Sequence, residues 1–368
     1  MCRLGIRSLV LESSGSLRIT GFAIGTWTNA WKALDAVGIG DSLRQQHKQI
    51  YCGDHEFRCV NRKLLLEALA KELPSGTIRF SSKVVSIEIS GFYKLVHLLG
   101  GSILKTKVLI GCDGVNSVVA KWLGFKAPTF TRRAAIRGCV NFKSNHGFEP
   151  KFFQFFGKAF RFGFLPYDDN DIYWFLLTSN KDKEREDNLI KMKQFVLSKL
   201  GNEYVPDEIK AIVENTELDS IISSPLRYRH PWELLWGNIN KDNVCVAGDA
   251  LHPMTPDIGQ GGCAALEDGV VLARCLAGAL LKKQSEETRG EGDREKEEYK
   301  MIEMGLKKYA KERRWRSIEL INTSYFVGFL QQGNGQVTSF LRDNILPTFL
   351  AGLPLKRADF DCGKLNIS

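Results

Sequence analysis

The sequence predicts an α/β protein whose helix-and-strand domain is interrupted by an antiparallel sheet. Three stretches predict it. Residues 8–12, SLVLE, are a short run of strand formers ending on an acid. Residues 107–117, KVLIGCDGVNS, and 244–276, VCVAGDALHPMTPDIGQGGCAALEDGVVLARCL, each read as a buried strand, a turn of glycine and aspartate, and a helix. Between these two, residues 125–230 carry mostly long, aromatic-rich strand patterns.

After Glu12 comes a Gly/Ser turn, then TNAWKALDAVGIGDSL (28–43), whose apolar spacing predicts an amphipathic helix stopped by glycines. NRKLLLEALAKELPSG (61–76) predicts a second helix, with Asn61 as its N-cap and Pro-Ser-Gly as its end. TIRF, KVVSIEI, YKLVHLL and KVLIG follow as short strands over 77–111. AAIRGCVNF, FFQFFGKAFRFGFLPY and IYWFLLTS then read as long strands of the inserted sheet, the last two separated by DDND, with a helix over 188–200. A buried strand and a long helix over 262–282 restore the α/β pattern, and KKQSEETRGEGDREKEEYK (282–300) reads as a solvated loop or frayed helix end. The implied division is 1–124 and 232–368 as two parts of one domain, with 125–231 as the inserted one.

Composition bounds the chemistry. The 368 residues are 43% hydrophobic and 25% charged, ordinary for a globular chain, and basic and acidic residues are intermixed despite a net charge of +9. That pattern argues against nucleic-acid binding and suits an anionic cofactor or small-molecule substrate. Nine cysteines without C-x-x-C or Cys/His clusters read as reduced thiols, so an intracellular, cytoplasmic setting is favoured and no metal is expected. The longest apolar stretch, VVLARCLAGALL, is too short to span a membrane and is broken by Arg274.

The two glycine-aspartate turns carry the chemical signal. An acid at a strand end beside a helix N-terminus makes a crevice suited to a polyol and an electron-rich ring edge. Free backbone N–H groups at Gly261, Gly262 and Cys263 would stabilise negative charge there. GQGGCA fits G-x-G-x-x-A by letter, but it follows its strand by some ten residues and is not a phosphate loop of the usual kind. Other readings stand beside these. Glu12 also reads as a solvated strand-end acid, His252 as a loop-structuring residue, and Arg137 as a sheet-edge ion-pair partner. Ser117 reads as a helix N-cap, and Cys263 as a thiol activated by a helix start.

With both turns in this order, flanking a strand-rich insertion, the chain resembles the class A FAD-dependent monooxygenases, the group of para-hydroxybenzoate and salicylate hydroxylase. It is most similar to the plant branch often called monooxygenase 1-like. The resemblance implies a glutathione-reductase-type FAD-binding domain with an inserted antiparallel-sheet substrate domain. It implies FAD as cofactor, NAD(P)H as co-substrate and O2 as oxidant, with one oxygen atom passing through a flavin hydroperoxide to a small, aromatic substrate. An alkene epoxidase of the same family, or an inactive remnant with a binding role, are the alternatives. By the same resemblance Glu12 binds the adenosine ribose, and Arg18 and Arg62 contact FAD. Asp113 and Gly114 serve FAD and the transient visit of NAD(P)H, and Asp249 bonds the ribityl chain. Pro256 and Gly259 lie on the loop beside the flavin, Gly261, Gly262 and Cys263 face its pyrimidine edge, and Arg137 meets an anionic substrate. No side-chain nucleophile is expected, because the cofactor carries the chemistry.

Two departures from the family pattern are visible. Where the family has an arginine three residues after Ser117, this chain has Ala120, followed by Lys121. The first strand and its G-x-G-x-x-G turn are also missing ahead of SLVLE. The resulting expectation is that this chain as written binds FAD or folds poorly, and that a plastid-targeting segment would have been lost with them.

Overall fold

The computed structural model describes residues 1–17, 21–51, 53–157, 159–179, 188–201, 205–280, 291–332 and 355–365. Parallel strands form two pieces. Val10–Leu11 pairs with Ile78–Arg79, and Leu109–Gly111 pairs with Val244–Val246, which turns back into Asn240–Lys241. No hydrogen bond joins the two pieces among the described residues. Antiparallel strands Ala23–Trp27, Phe57–Asn61 and Gln49–Ile50 form a third sheet, and Val84–Ser90, Tyr93–Leu98 and Ile103–Thr106 a fourth.

The inserted sheet has five antiparallel strands in the order Phe153–Gly157, Phe160–Pro166, Asp171–Ser179, Thr129–Asn141, Ile221–Tyr228. Its alternation divides the aromatic residues between two faces. One face sends Ile136, Phe162, Phe164, Trp174 and Leu176 into a core closed by the helices Leu189–Gly201 and Asp207–Glu214. The other turns Leu165, Tyr173 and Phe175 towards Trp27, Phe57 and Cys263 of the first domain. That second face positions the site.

Several sequence expectations hold in detail. Asn61 caps its helix, its side-chain oxygen accepting from the N–H groups of Lys63 (2.9 Å) and Leu64 (3.4 Å). Ser117 caps Val118–Trp122 by accepting from Ala120 N–H at 2.8 Å. The helix expected within 28–43 is Thr28–Val37, stopped as expected by a glycine, Gly38, with a left-handed φ of 79°, and a second helix, Gly40–Gln46, follows it. Two expectations are corrected. FFQFFGKAFRFGFLPY is a hairpin of two strands rather than one, and the sheet gains Ile221–Tyr228 as its edge. The charged stretch over 282–300 enters the 42-residue helix Glu291–Gln332 with its second half, while 281–290 lies outside the described residues. The strand Ile103–Thr106 was not expected.

Candidate active site

The site begins with two adjacent strand ends. Gly111 pairs with Val246 in parallel register, and Ala247 N–H donates to the Gly111 carbonyl at 3.0 Å. The Asp113-Gly114 and Gly248-Asp249 turns therefore leave one edge side by side, at the carboxyl end of parallel strands where α/β folds place ligands. Gly111 has to be glycine: a Cβ there would lie 2.5 Å from Val119.

The two acids differ in what they hold. Asp113 is spent locally: Oδ1 accepts from Ser117 Oγ at 2.5 Å, and Oδ2 accepts from Val118 N–H at 2.7 Å and Val119 N–H at 3.3 Å. It anchors the start of its own helix. Asp249 is exposed and makes no hydrogen bond among the described residues, which leaves both carboxylate oxygens available to a ligand.

From Gly248 to Gln260 the loop is fixed at every turn. Asp268, buried in the helix Gly261–Leu280, accepts from Gly248 N–H at 2.6 Å and faces His252 Nε2 at 2.8 Å. Arg313 Nε donates to the other oxygen of Asp268 at 2.6 Å. Burial alone would raise the Asp268 pKa, but the Arg313 guanidinium, His252 and the Gly248 amide together hold it down to about 2. Glu267 beside it binds Arg313, Arg316 (2.7 Å each) and Asn29 (2.5 Å). Arg229, itself buried, donates to the carbonyls of Ala250 and Leu251. His252 thus has the structural role that one reading of the sequence gave it.

The middle of the loop is tied to the inserted sheet. Arg133 grips Asp257 with two bonds, NH1 to Oδ2 at 3.0 Å and NH2 to Oδ1 at 2.6 Å. Arg161 NH1 donates to the Asp257 carbonyl at 3.0 Å, and burial among the sheet's aromatics brings its pKa down to about 10. Pro256 opens the short turn Pro256–Ile258, and Gly259 closes it with a φ of 62°. Both residues face outward.

The helix then starts against the strand Ala23–Trp27. A Cβ at Gly262 would lie 2.2 Å from Ile24, so backbone meets side chain with no room between. Cys263 is buried, its thiol 3.7 Å from the Gly25 carbonyl, and burial pushes its pKa up to about 12. The activated-thiol reading of Cys263 is therefore corrected. What this helix start offers is backbone N–H groups and its dipole. Two buried side-chain donors beside it have no acceptor among the described residues: Trp27 Nε1 and Gln260 Nε2, the latter on a carboxamide whose oxygen accepts from Asn29 at 2.8 Å. Trp27 Nε1 lies 3.4 Å from the point a Gly259 Cβ would occupy. Buried donors without acceptors are costly in isolation and suit a ligand rich in acceptor atoms.

Beside the helix start lies an aromatic wall. Trp27 packs on Phe57 (centroids 4.4 Å apart), Phe57 on Phe152 (6.2 Å), and Phe152 on Phe175 (6.1 Å), beside Tyr173. Arg137 lies on the inner strand of the sheet, in register with Phe175. It donates to Ser224 Oγ at 2.7 Å rather than to a carboxylate, so the edge ion-pair reading is replaced by a position on the face of the wall.

The remaining expected residues lie apart. Glu12 is half-buried at the end of Val10–Leu11, its Oε1 accepting from Ser14 N–H at 2.8 Å, on the other parallel piece. Arg62 is exposed at the first turn of its helix, its guanidinium beside Gly21. Arg18 lies outside the described residues. Sequence reasoning missed Trp27, Arg133, Arg161, Asp257, Gln260 and the Glu267-Asp268 pair. Only the last left a signal: two adjacent acids inside an otherwise apolar helix, with ERRWR downstream to neutralise them.

Comparison with known proteins fits this geometry. A family model described as FAD binding domain matches residues 62–291. The chain is 56% identical to Monooxygenase 2 of Arabidopsis thaliana, over 99% of this chain and 93% of that protein. It is 36% identical to Monooxygenase 1 of the same plant, over 99% and 94%. Among solved structures, Klebsiella pneumoniae HpxO complexed with FAD and uric acid superposes with a TM-score of 0.75 at 19% identity, covering 97% of this chain and 92% of that one.

Proposed function

We propose that this chain, which belongs to the FAD binding domain family of FAD-dependent monooxygenases, inserts one oxygen atom of O2 into a small aromatic substrate at the expense of NAD(P)H. One observation carries the reading. An exposed, unengaged carboxylate (Asp249), a clamped proline-glycine turn and a helix N-terminus lie on one loop-helix segment beside an aromatic wall.

The donor set suits FAD. Asp249, exposed and unengaged among the described residues, would accept from ribityl hydroxyls. The amides opening Gly261–Leu280 and the N–H groups of Trp27 and Gln260, which have no acceptor among the described residues, would meet the acceptor-rich edge of the ring. Arg62 is the candidate for the phosphate-bearing half, and Glu12 for its ribose. Bound FAD supplies the redox chemistry with dioxygen. The protein's own contribution is orientation and dryness: Trp27, Phe57, Phe152 and Phe175 exclude water from the ring face, and Arg137 with Ser224 offers polar contacts to a ring substituent. That the HpxO structure holds uric acid, a flat ring compound, supports an aromatic substrate here.

The test is flavin-dependent NADH or NADPH oxidation and O2 uptake by the purified chain, stimulated by phenolic or heteroaromatic acids, with 18O from dioxygen in the product. Bound flavin without any such stimulation, or 18O arriving only from water, would overturn it. Asp249→Ala separates cofactor binding from folding. Losing a charged acceptor should weaken FAD binding roughly tenfold to a hundredfold, from about 1.5–3 kcal/mol. Flavin fluorescence titration reads that change, and the melting temperature of the flavin-free protein should stay put because Asp249 holds no other group.

A further inference from the structure

Away from the site, one face of the molecule is aromatic, exposed and bordered by unpaired cations. The short helix Pro231–Trp236 lies against the long helix Glu291–Gln332, pinned by Arg314, whose NH1 donates to the carbonyls of Leu235 and Gly237 at 3.2 Å. A continuous ladder links the two helices. Tyr325 stacks on Tyr228 (4.7 Å between centroids), Tyr228 meets His230 edge-on (4.8 Å), and His230 stacks on Trp232 (4.1 Å). Trp232 and Trp236 stand one turn apart on the short helix, and Trp236 is 81% exposed. On the long helix Trp315, 66% exposed, shares its side with Phe326 and Phe329, three to four turns on. An array of this size is uncommon on a free monomer surface and marks an interaction face.

Charge decides which partner it fits. The acids near the face are already engaged: Glu233 with Arg229, Glu312 with Arg274, and Glu319 with Arg357. Lys126, Arg227, Lys308 and Lys311 are exposed and form no ion pair among the described residues. Lys126 borders the short helix, its backbone N–H donating to Glu233 at 3.3 Å, and Lys311 lies one turn before Trp315. Tryptophan and tyrosine with a polar tip prefer the boundary between water and hydrocarbon, and lysine and arginine beside them attract anionic headgroups. We propose that this face docks the protein peripherally on an anionic membrane surface, its tryptophans seated at headgroup depth. No helix among the described residues is long and apolar enough to cross a membrane, so binding would be from one side.

The test uses the full chain with its flavin and vesicles of phosphatidylcholine with or without phosphatidylserine. The expected result is co-sedimentation with the phosphatidylserine vesicles only, a blue shift of tryptophan emission on binding, and weakening as salt rises. The Lys308→Glu/Lys311→Glu variant should weaken partition roughly tenfold or more. Trp232→Ala/Trp236→Ala should cut the emission shift by more than half while flavin content and melting temperature stay unchanged. Failure to bind phosphatidylserine vesicles would overturn the proposal. So would a protein that dimerises on its own, by sedimentation velocity, and becomes monomeric in Trp236→Glu, since the face would then belong to a second copy.

Discussion

Asp268→Ala is expected to destabilise the protein by about 3–5 kcal/mol and to strip it of flavin. The size follows from what is left behind. Arg313 would be buried with half of its partners gone, His252 would lose the acceptor at its Nε2, and the Gly248 amide would lose its bond. Because Gly248 adjoins Asp249, the same change releases the acid proposed to hold the ribityl chain from its position. Denaturant unfolding and flavin retention through gel filtration read the two consequences separately. Asp268 also makes stability depend on acid. Its pKa falls from 3.8 to about 2 on folding, so its contribution, about 2 kcal/mol, is fully present above pH 4. It is lost as pH falls from about 4 to about 2. Asp268→Asn keeps the shape without the charge and should flatten that limb of the stability–pH curve. A wild-type limb no steeper than the variant's would contradict the assignment.

Arg133→Met is the second. It would leave the Asp257 carboxylate, which has no exposed surface, facing a thioether instead of a bidentate guanidinium, at a cost again near 3–5 kcal/mol. The paired change Arg133→Met/Asp257→Leu should recover most of that stability, because two apolar groups of similar size replace two charges. It should not recover the site. Without the clamp the turn carrying Pro256 and Gly259 is no longer referenced to the inserted sheet, so the flavin absorption bands should stay shifted and KM should rise in the double variant. A double variant with normal spectra and normal KM would show that the pair serves stability alone.

How far these features were legible in the sequence depends on the range over which they act. Caps and turns are local, and Asn61, Ser117 and the two glycine-aspartate turns could be read directly from their neighbours. The second helix after Gly38 was harder, because a glycine that ends one helix does not show whether another begins beyond it. Arg137 shows the limit. Its letters gave a strand position, but only the order of strands decided that it sits inside the sheet beside Phe175 rather than at an edge. Arg133, Arg161 and Asp257 could not be paired at all without knowing that the loop after Val244–Val246 lies under the inserted sheet. The catalytic reading was legible because its motifs are short, and the groups that position those motifs were hidden because they are distant.

That distance has a price in time. Asn29 binds Glu267 across 238 positions of chain, and its carboxamide also holds Gln260 at the helix start. At ordinary rates of synthesis, about 5–20 residues per second, roughly 12–48 s separate the appearance of Asn29 from that of its acceptor. Until then the strand Ala23–Trp27 can pack on its near neighbours, Trp27 on Phe57 and Ile24 on Trp31 and Val60, but lacks the helix that Gly262 presses against Ile24. The Asn29 side of the site is held only after the helix Gly261–Leu280 has been made.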